Sequence, residues 1–334
     1  MEAHADARPN IALVKYWGKR DGALNLPATG SLSITLDALR SCTRVRFDEA
    51  LACDELRLDG KVSAPAPERV RTCLDLMRRR AGCDLYARID SENNFPTGAG
   101  LASSSSGFAA LTVAAASALG LDLEARELSR IARRGSGSAA RSIFGGFVVM
   151  VAGIREDGDD AHAEPLLPAA EWPLAVIVAV TSRAPKRVGS SAGMERTRDT
   201  SPFYDAWLDA TASDLAAARE AIGRRDFAAL AEVSERNCLR MHATMLGCRP
   251  PLVYMNGATL DCLERIRTLR ENDGLATFFT VDAGPQAKAI CLPDDAPRVA
   301  EALRLVPGVE RVLTSGLGEG ARTLAATALR AEAR

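Results

Sequence analysis

Asn93-Asn94-Phe95-Pro96-Thr97-Gly98-Ala99-Gly100-Leu101-Ala102-Ser103-Ser104-Ser105-Ser106-Gly107 sets glycines, a threonine and four consecutive serines just ahead of an alanine-rich run at 108–119. Alanine is the best helix former, so 108–119 is expected to be helical. A Gly/Ser loop that opens a helix is a ready anion site. Its amide groups are free to turn inward, the helix start carries partial positive charge, and hydroxyls add donors. Glycine also lets the backbone approach a phosphate closely. The loop is not a Walker A motif, because no lysine follows the glycines, and the G-x-G-x-x-G spacing is absent. Read without a ligand, the same residues are a serine-rich helix start.

Upstream of the loop, 85–89 reads as the strand that feeds it. The segment 67–80 is an amphipathic helix with Val70, Cys73, Leu74 and Met77 at helical spacing. Residues 31–37 alternate polar and apolar as a half-buried strand does, and 43–48 and 54–58 are further short antiparallel strands. At 10–18 the start Asn10-Ile11-Ala12-Leu13-Val14 predicts a buried strand, which Lys15 interrupts. A lysine inside such a run either snorkels to water or meets an anion. Tyr16, Trp17 and Lys19 crowd the same spot with polar-tipped rings and a second cation.

Downstream, 123–134 is a second helix, followed by Gly135-Ser136-Gly137-Ser138-Ala139-Ala140-Arg141-Ser142. That segment is either a helix C-cap and turn or, given its likeness to the first loop, another wall of one anion pocket. The segments 147–152 and 174–180 are strands, and 156–168 is expected to be an irregular surface loop. Helices follow at 201–224, 227–245 and 258–270. Then 276–281 pairs with 287–292, 296–305 is a helix, and 310–314 closes the sheet. This second half is an α+β layer of helices on antiparallel strands. Asp282 stands just past an apolar strand, before Ala283-Gly284-Pro285. Small residues there leave room for a ligand; an ordinary turn aspartate capping Gly-Pro is the alternative. His242, in a helical run, reads as a packed side chain, and with 3 histidines and no H-x-x-x-H a zinc site is not expected.

A length of 334 residues suggests two domains, divided here into 1–185 and 186–334. A chain that is 47% hydrophobic and 25% charged is of the soluble globular class. Lys+Arg 42 against Asp+Glu 43 leaves no basic surplus for nucleic acid or an anionic membrane, so any cationic cluster is local and serves a small anion. No apolar run reaches the roughly 18 residues of a membrane span. Residues 1–9 are polar, and no signal peptide is expected. The 8 cysteines form no C-x-x-C pair, so they read as reduced core residues, with a cytoplasmic location expected.

Five motifs can now be read together: 10–19, 93–106, 135–142, Ser190-Ser191-Ala192-Gly193-Met194, and Val281-Asp282-Ala283-Gly284-Pro285. In this order and spacing the chain resembles the mevalonate diphosphate decarboxylases of the GHMP kinase superfamily, over nearly its whole length. The segments Lys15-Tyr16-Trp17-Gly18-Lys19 and Asp282–Pro285 carry the likeness to the decarboxylase branch. The Gly/Ser loop carries the likeness to the superfamily. The resemblance implies an α+β GHMP kinase fold: a ribosomal protein S5 domain 2-like N-terminal domain, a ferredoxin-like C-terminal α/β domain, and the active site in the cleft between them. It implies ATP and Mg²⁺ as cofactors, mevalonate 5-diphosphate as substrate, and a homodimer. Asp282, Lys15 and Arg141 would be catalytic. Tyr16, Trp17, Lys19, Ser136, Arg141, Ser190 and Ser191 would hold the substrate. Pro96, Gly98, Ala99, Gly100, Leu101, Ser103, Ser104 and Ser105 would cradle ATP, with no residue assigned to a resident metal. Rival readings are a related enzyme acting on mevalonate or its monophosphate, as a 3-kinase or a decarboxylase, and a catalytically silent regulator.

Overall fold

The computed structural model describes residues 1–95, 103–184 and 186–324. Of the expected nucleotide-loop residues, Pro96, Gly98, Ala99, Gly100 and Leu101 lie outside the described residues.

The first half is built on two antiparallel-rich sheets. One has six strands in the order Arg322–Leu324, Glu2–Ala7, Ser41–Asp48, Tyr86–Asn93, Glu55–Leu58, Lys61–Ser63. Only the Tyr86–Asn93/Glu55–Leu58 pair in it is parallel. Helices Glu68–Ala81, Ser103–Ala118 and Ala125–Gly135 cover its inner face, with Val45, Phe47, Ile89, Leu74 and Met77 in the shared core. Helix Ser103–Ala118 is buried nearly all round, and its small side chains let it lie close on strands Glu2–Ala7 and Ser41–Asp48. The second sheet runs Ala163–Leu167, Phe147–Met150, Ser31–Thr35, Asn10–Val14.

The second half has a four-stranded antiparallel sheet, Thr277–Val281, Ala287–Cys291, Ala175–Val180, Arg311–Ser315. Helices Gly257–Glu271 and Ala296–Arg304 pack on one face. Helices Tyr204–Arg224 and Phe227–Leu246 lie on the other and reach across to strand Asn10–Val14. As a result Ile11, Leu32 and Phe147 of the first half share one core with Val176, Ile222, Leu230 and Phe278 of the second.

Several elements differ from the sequence-based expectation. Strand Ser31–Thr35 is buried on both sides rather than half-buried: its serines face a buried guanidinium, not water. Strand Ala163–Leu167 lies within the segment expected to be a surface loop; Glu164 and Pro165 mask it, and it pairs at a sheet edge, where proline is tolerated. Strand Glu2–Ala7 was not expected, because alanine gives its alternation little hydrophobic contrast. Helix Ser190–Thr200, which was not expected, begins just past the division at 185/186. Relative to a division at 185/186, Ala175–Val180 pairs with the second-half sheet, while Arg322–Leu324 returns to the first-half sheet.

Candidate active site

A cavity of about 540 Å³ opens between the halves. Strand Asn10–Val14 delivers Lys15 to its floor, and the turn after Thr277–Val281 delivers Asp282. Lys15 is fully buried, so it does not snorkel; its Nζ donates to Asp282 Oδ1 at 2.7 Å. The other carboxylate oxygen is also engaged: Lys288 Nζ donates to Asp282 Oδ2 at 2.9 Å. Burial works to raise the Asp282 pKa, but the two ammonium groups beside it overcome that and hold it well below the usual carboxylate range. Burial in turn depresses the Lys288 pKa.

The backbone behind Lys15 is tied down. Its amide donates to Asn237 Oδ1 at 2.7 Å, and Asn237 Nδ2 donates to the buried Asp214 at 3.0 Å. Arg236 and Arg240 neutralise Asp214. His242 is the packed residue expected: it faces the Val281 carbonyl, and burial lowers its pKa to about 4.

Arg141 is fully buried in the wall. Its Nε faces Ser33 Oγ at 3.0 Å and Asn10 Oδ1 at 3.3 Å, Nη1 donates to Ser31 Oγ at 2.7 Å, and Nη2 to Asn10 Oδ1 at 3.2 Å. A guanidinium carries five N–H groups. Two of them, one on each Nη, have no acceptor among the described residues, and no described carboxylate forms an ion pair with it. Burial lowers its pKa to about 10, which still leaves it charged at neutral pH. Tyr16 lies against it, ring centroid 5.9 Å from the guanidinium carbon, with a buried hydroxyl that has no partner among the described residues and a pKa pushed up to about 12 by burial. A Cβ at Gly137 would run into the Tyr16 hydroxyl, so glycine is required for this approach.

The remaining wall is cationic and hydroxylic. Lys19 Nζ and Arg69 Nη2 converge on Ser191 Oγ at 3.2 and 2.9 Å. Lys186 Nζ reaches Ser190 Oγ at 3.3 Å. Burial lowers the pKa of both Lys19 and Lys186. Ser104 Oγ lies 3.3 Å from Ser136 Oγ, which joins the two Gly/Ser segments in one wall. Ser103 begins the helix beside it. Ser105 turns the other way and accepts from the Asn10 amide at 3.4 Å, supporting the wall from behind. Trp17 lines the cavity with its ring, but its indole N–H donates to Thr197 Oγ1 at 2.9 Å, pinning helix Ser190–Thr200.

Sequence reasoning did not single out Lys288, Lys186, Arg69 or Asn10. Lys288 could have been found by the argument that flagged Lys15, a lysine interrupting an apolar strand. Among the lining residues, Lys15, Lys19, Arg69, Arg141 and Lys186 face one acid, Asp282. Such a surface binds a polyanion and presents it to a single ionised carboxylate. Among the described residues no three of His, Cys, Asp and Glu are grouped to hold a metal ion. None of the helices among them is long and apolar enough to cross a membrane.

Comparison with known proteins agrees with this geometry. Residues 7–163 match the diphosphomevalonate decarboxylase-like N-terminal domain, and residues 176–322 the mevalonate 5-diphosphate decarboxylase C-terminal domain. A diphosphomevalonate decarboxylase of Aspergillus fumigatus is 41% identical over 325 residues, covering 92% of this chain and 80% of that protein. The mevalonate diphosphate decarboxylase of Staphylococcus aureus superposes with a TM-score of 0.90 at 39% identity, over 97% of this chain and 98% of that one. MDDEF, solved in complex with MVAPP, AMPPCP and magnesium, gives a TM-score of 0.89 at 40% identity, over 97% and 99%. With both halves matched and nearly the whole length superposed, the chain belongs to the mevalonate diphosphate decarboxylase family.

Proposed function

We propose that this protein is an ATP-dependent decarboxylase that converts mevalonate 5-diphosphate to isopentenyl diphosphate, ADP, phosphate and CO2. The observation that carries the reading is Arg141, a buried guanidinium with no carboxylate partner among the described residues, in the same cavity as the lysine-clamped Asp282. A buried cation without a counter-ion is costly, and a substrate carboxylate taken up in bidentate fashion removes that cost.

The diphosphate of the substrate lies among Lys19, Ser136, Ser190 and Ser191, with Arg69 added to that set. Ser103 and Ser104, at the helix start, take nucleotide phosphate. Asp282 orients the 3-hydroxyl. Each of its oxygens has a second lone pair beyond the one used by a lysine. A carboxylate held so far below neutrality is a poor base for an unactivated alcohol. It therefore takes the proton late, as the hydroxyl oxygen bonds to the γ-phosphorus and the bond to ADP breaks. Lys15 stabilises the charge that develops there. In the second stage the C3–O bond breaks with phosphate departing. The electron pair of the C–C bond to the carboxylate becomes the new double bond, and CO2 leaves. Arg141 aligns that C–C bond. Magnesium neutralises polyphosphate charge when bound. With no acidic cluster to cage it among the described residues, it would enter with the nucleotide.

Incubation with ATP, Mg²⁺ and mevalonate 5-diphosphate tests this: CO2 and phosphate are expected in equal amounts. ADP with a phosphorylated product and no CO2 would mean a 3-kinase, and no ADP at all a silent relative. We place the enzyme in the cytoplasm, because no disulfide joins its cysteines among the described residues. We also infer a homodimer, a reading supported by exposed Phe203, just before helix Tyr204–Arg224, and exposed Leu246, at the end of helix Phe227–Leu246. We divide the chain by sheet membership, with Ala175–Val180 assigned to the C-terminal domain.

A further inference from the structure

Lys288 has no part in the chemistry derived so far. It is the second residue of strand Ala287–Cys291, where all five residues are buried, and pairs with Thr280 on one side and Val178 on the other. Its side chain is fully buried and is not among those lining the cavity, so it cannot touch a bound substrate. An ammonium in such a place needs a counter-charge. The single carboxylate it reaches among the described residues is Asp282, at 2.9 Å.

Lys15 already provides Asp282 with a counter-ion at 2.7 Å, so the second lysine is not needed for neutrality. The two differ in access. Lys15 lines the cavity and is within reach of incoming phosphate oxygens, whereas Lys288 lies behind the carboxylate, away from any ligand. When Lys15 is shared with the transferring phosphoryl group, Asp282 would be left half-supported unless another cation stayed in place.

Resting on the decarboxylase reading above, we propose that Lys288 is a positioning residue: the standing counter-ion that keeps Asp282 oriented and ionised while Lys15 is drawn to the reacting phosphate. The other titratable groups around Asp282 cannot substitute. Lys186 and Arg141 line the cavity and are committed to ligand, and Lys186 already contacts Ser190. Cys238 bonds the Val281 backbone, and His242 is held neutral by burial.

Removing a neighbouring cation loosens the hold on the Asp282 carboxylate. In Lys288→Met kcat at neutral pH should therefore fall about ten- to a hundredfold while KM for ATP stays within about threefold. Lys288→Gln keeps a donor without the charge and should regain only part of kcat, whereas Lys288→Arg, which restores the charge, should return kcat toward wild type. If the methionine variant does not fold, the glutamine variant decides. A kcat within about twofold of wild type in the folded variants, or a glutamine variant as active as the arginine one, overturns the proposal. Wild-type protein that releases no CO2 would instead overturn the functional reading, leaving the two failures distinguishable.

Discussion

At the level of single side chains, the site divides into groups that touch ligand and groups that hold them. Asp282→Asn keeps the shape of the side chain but leaves Lys15 and Lys288 facing a neutral amide. Positioned proton transfer is worth about 10²–10⁴-fold, so kcat should fall by at least that much while substrate still binds. Single-turnover CO2 release at the wild-type rate would remove Asp282 from that role. Arg141→Gln should weaken transition-state binding by about 1.5–3 kcal/mol, read as a drop in kcat/KM, because a charge-assisted contact is lost. Unaltered turnover would put the carboxylate grip elsewhere. These two residues were legible in the sequence because each stands in a short motif with small neighbours. Lys288 was only half so: in Ala287-Lys288-Ala289-Ile290-Cys291 it interrupts an apolar strand as Lys15 does, but nothing local says that a carboxylate lies beside it. Ser105 and Trp17 show the opposite limit, since adjacent letters in a motif need not face the same side. Ser104 turns to the cavity while Ser105 turns to Asn10.

Among the elements, long helices and apolar strands were read closely, the alanine-rich helix included, whereas short strands and the alanine-containing strand Glu2–Ala7 were hidden. Helix Ser103–Ala118 illustrates why alanine matters in both respects. Ala109, Ala110, Ala114 and Ala115 are all buried against the sheet or neighbouring helices, and the close approach positions Ser104 at the cavity wall. Ala114→Leu would overpack this contact and is expected to lower stability by about 1–3 kcal/mol, measurable by denaturant titration. The segment after Ala125–Gly135 behaves differently. Gly137→Ala opens no core but drives a methyl into the Tyr16 hydroxyl, so either Tyr16 or the loop must move. KM for mevalonate 5-diphosphate should rise with little change in melting temperature; an unchanged KM would show that the pocket tolerates the shift.

Taken as a whole, the two halves share apolar residues too closely to be independent. Phe147 stacks on Trp172 with ring centroids 5.4 Å apart, and both belong to the core that includes Phe278 of the second sheet. Unfolding is therefore expected as one cooperative transition, with fluorescence and circular dichroism curves that coincide. Two separated transitions would mean that the shared core breaks first. Within this frame the cavity brings Lys15, Lys19, Arg69, Arg141 and Lys186 together around Asp282. In the absence of bound anions, the fold must hold those like charges against their mutual repulsion. Multivalent anions thus act as ballast: they relieve a tension built into the apo protein. Pyrophosphate should raise the melting temperature more than chloride at matched ionic strength, by an amount that grows logarithmically with its concentration. An enzyme organised in this way is most fragile when idle and firmest at work.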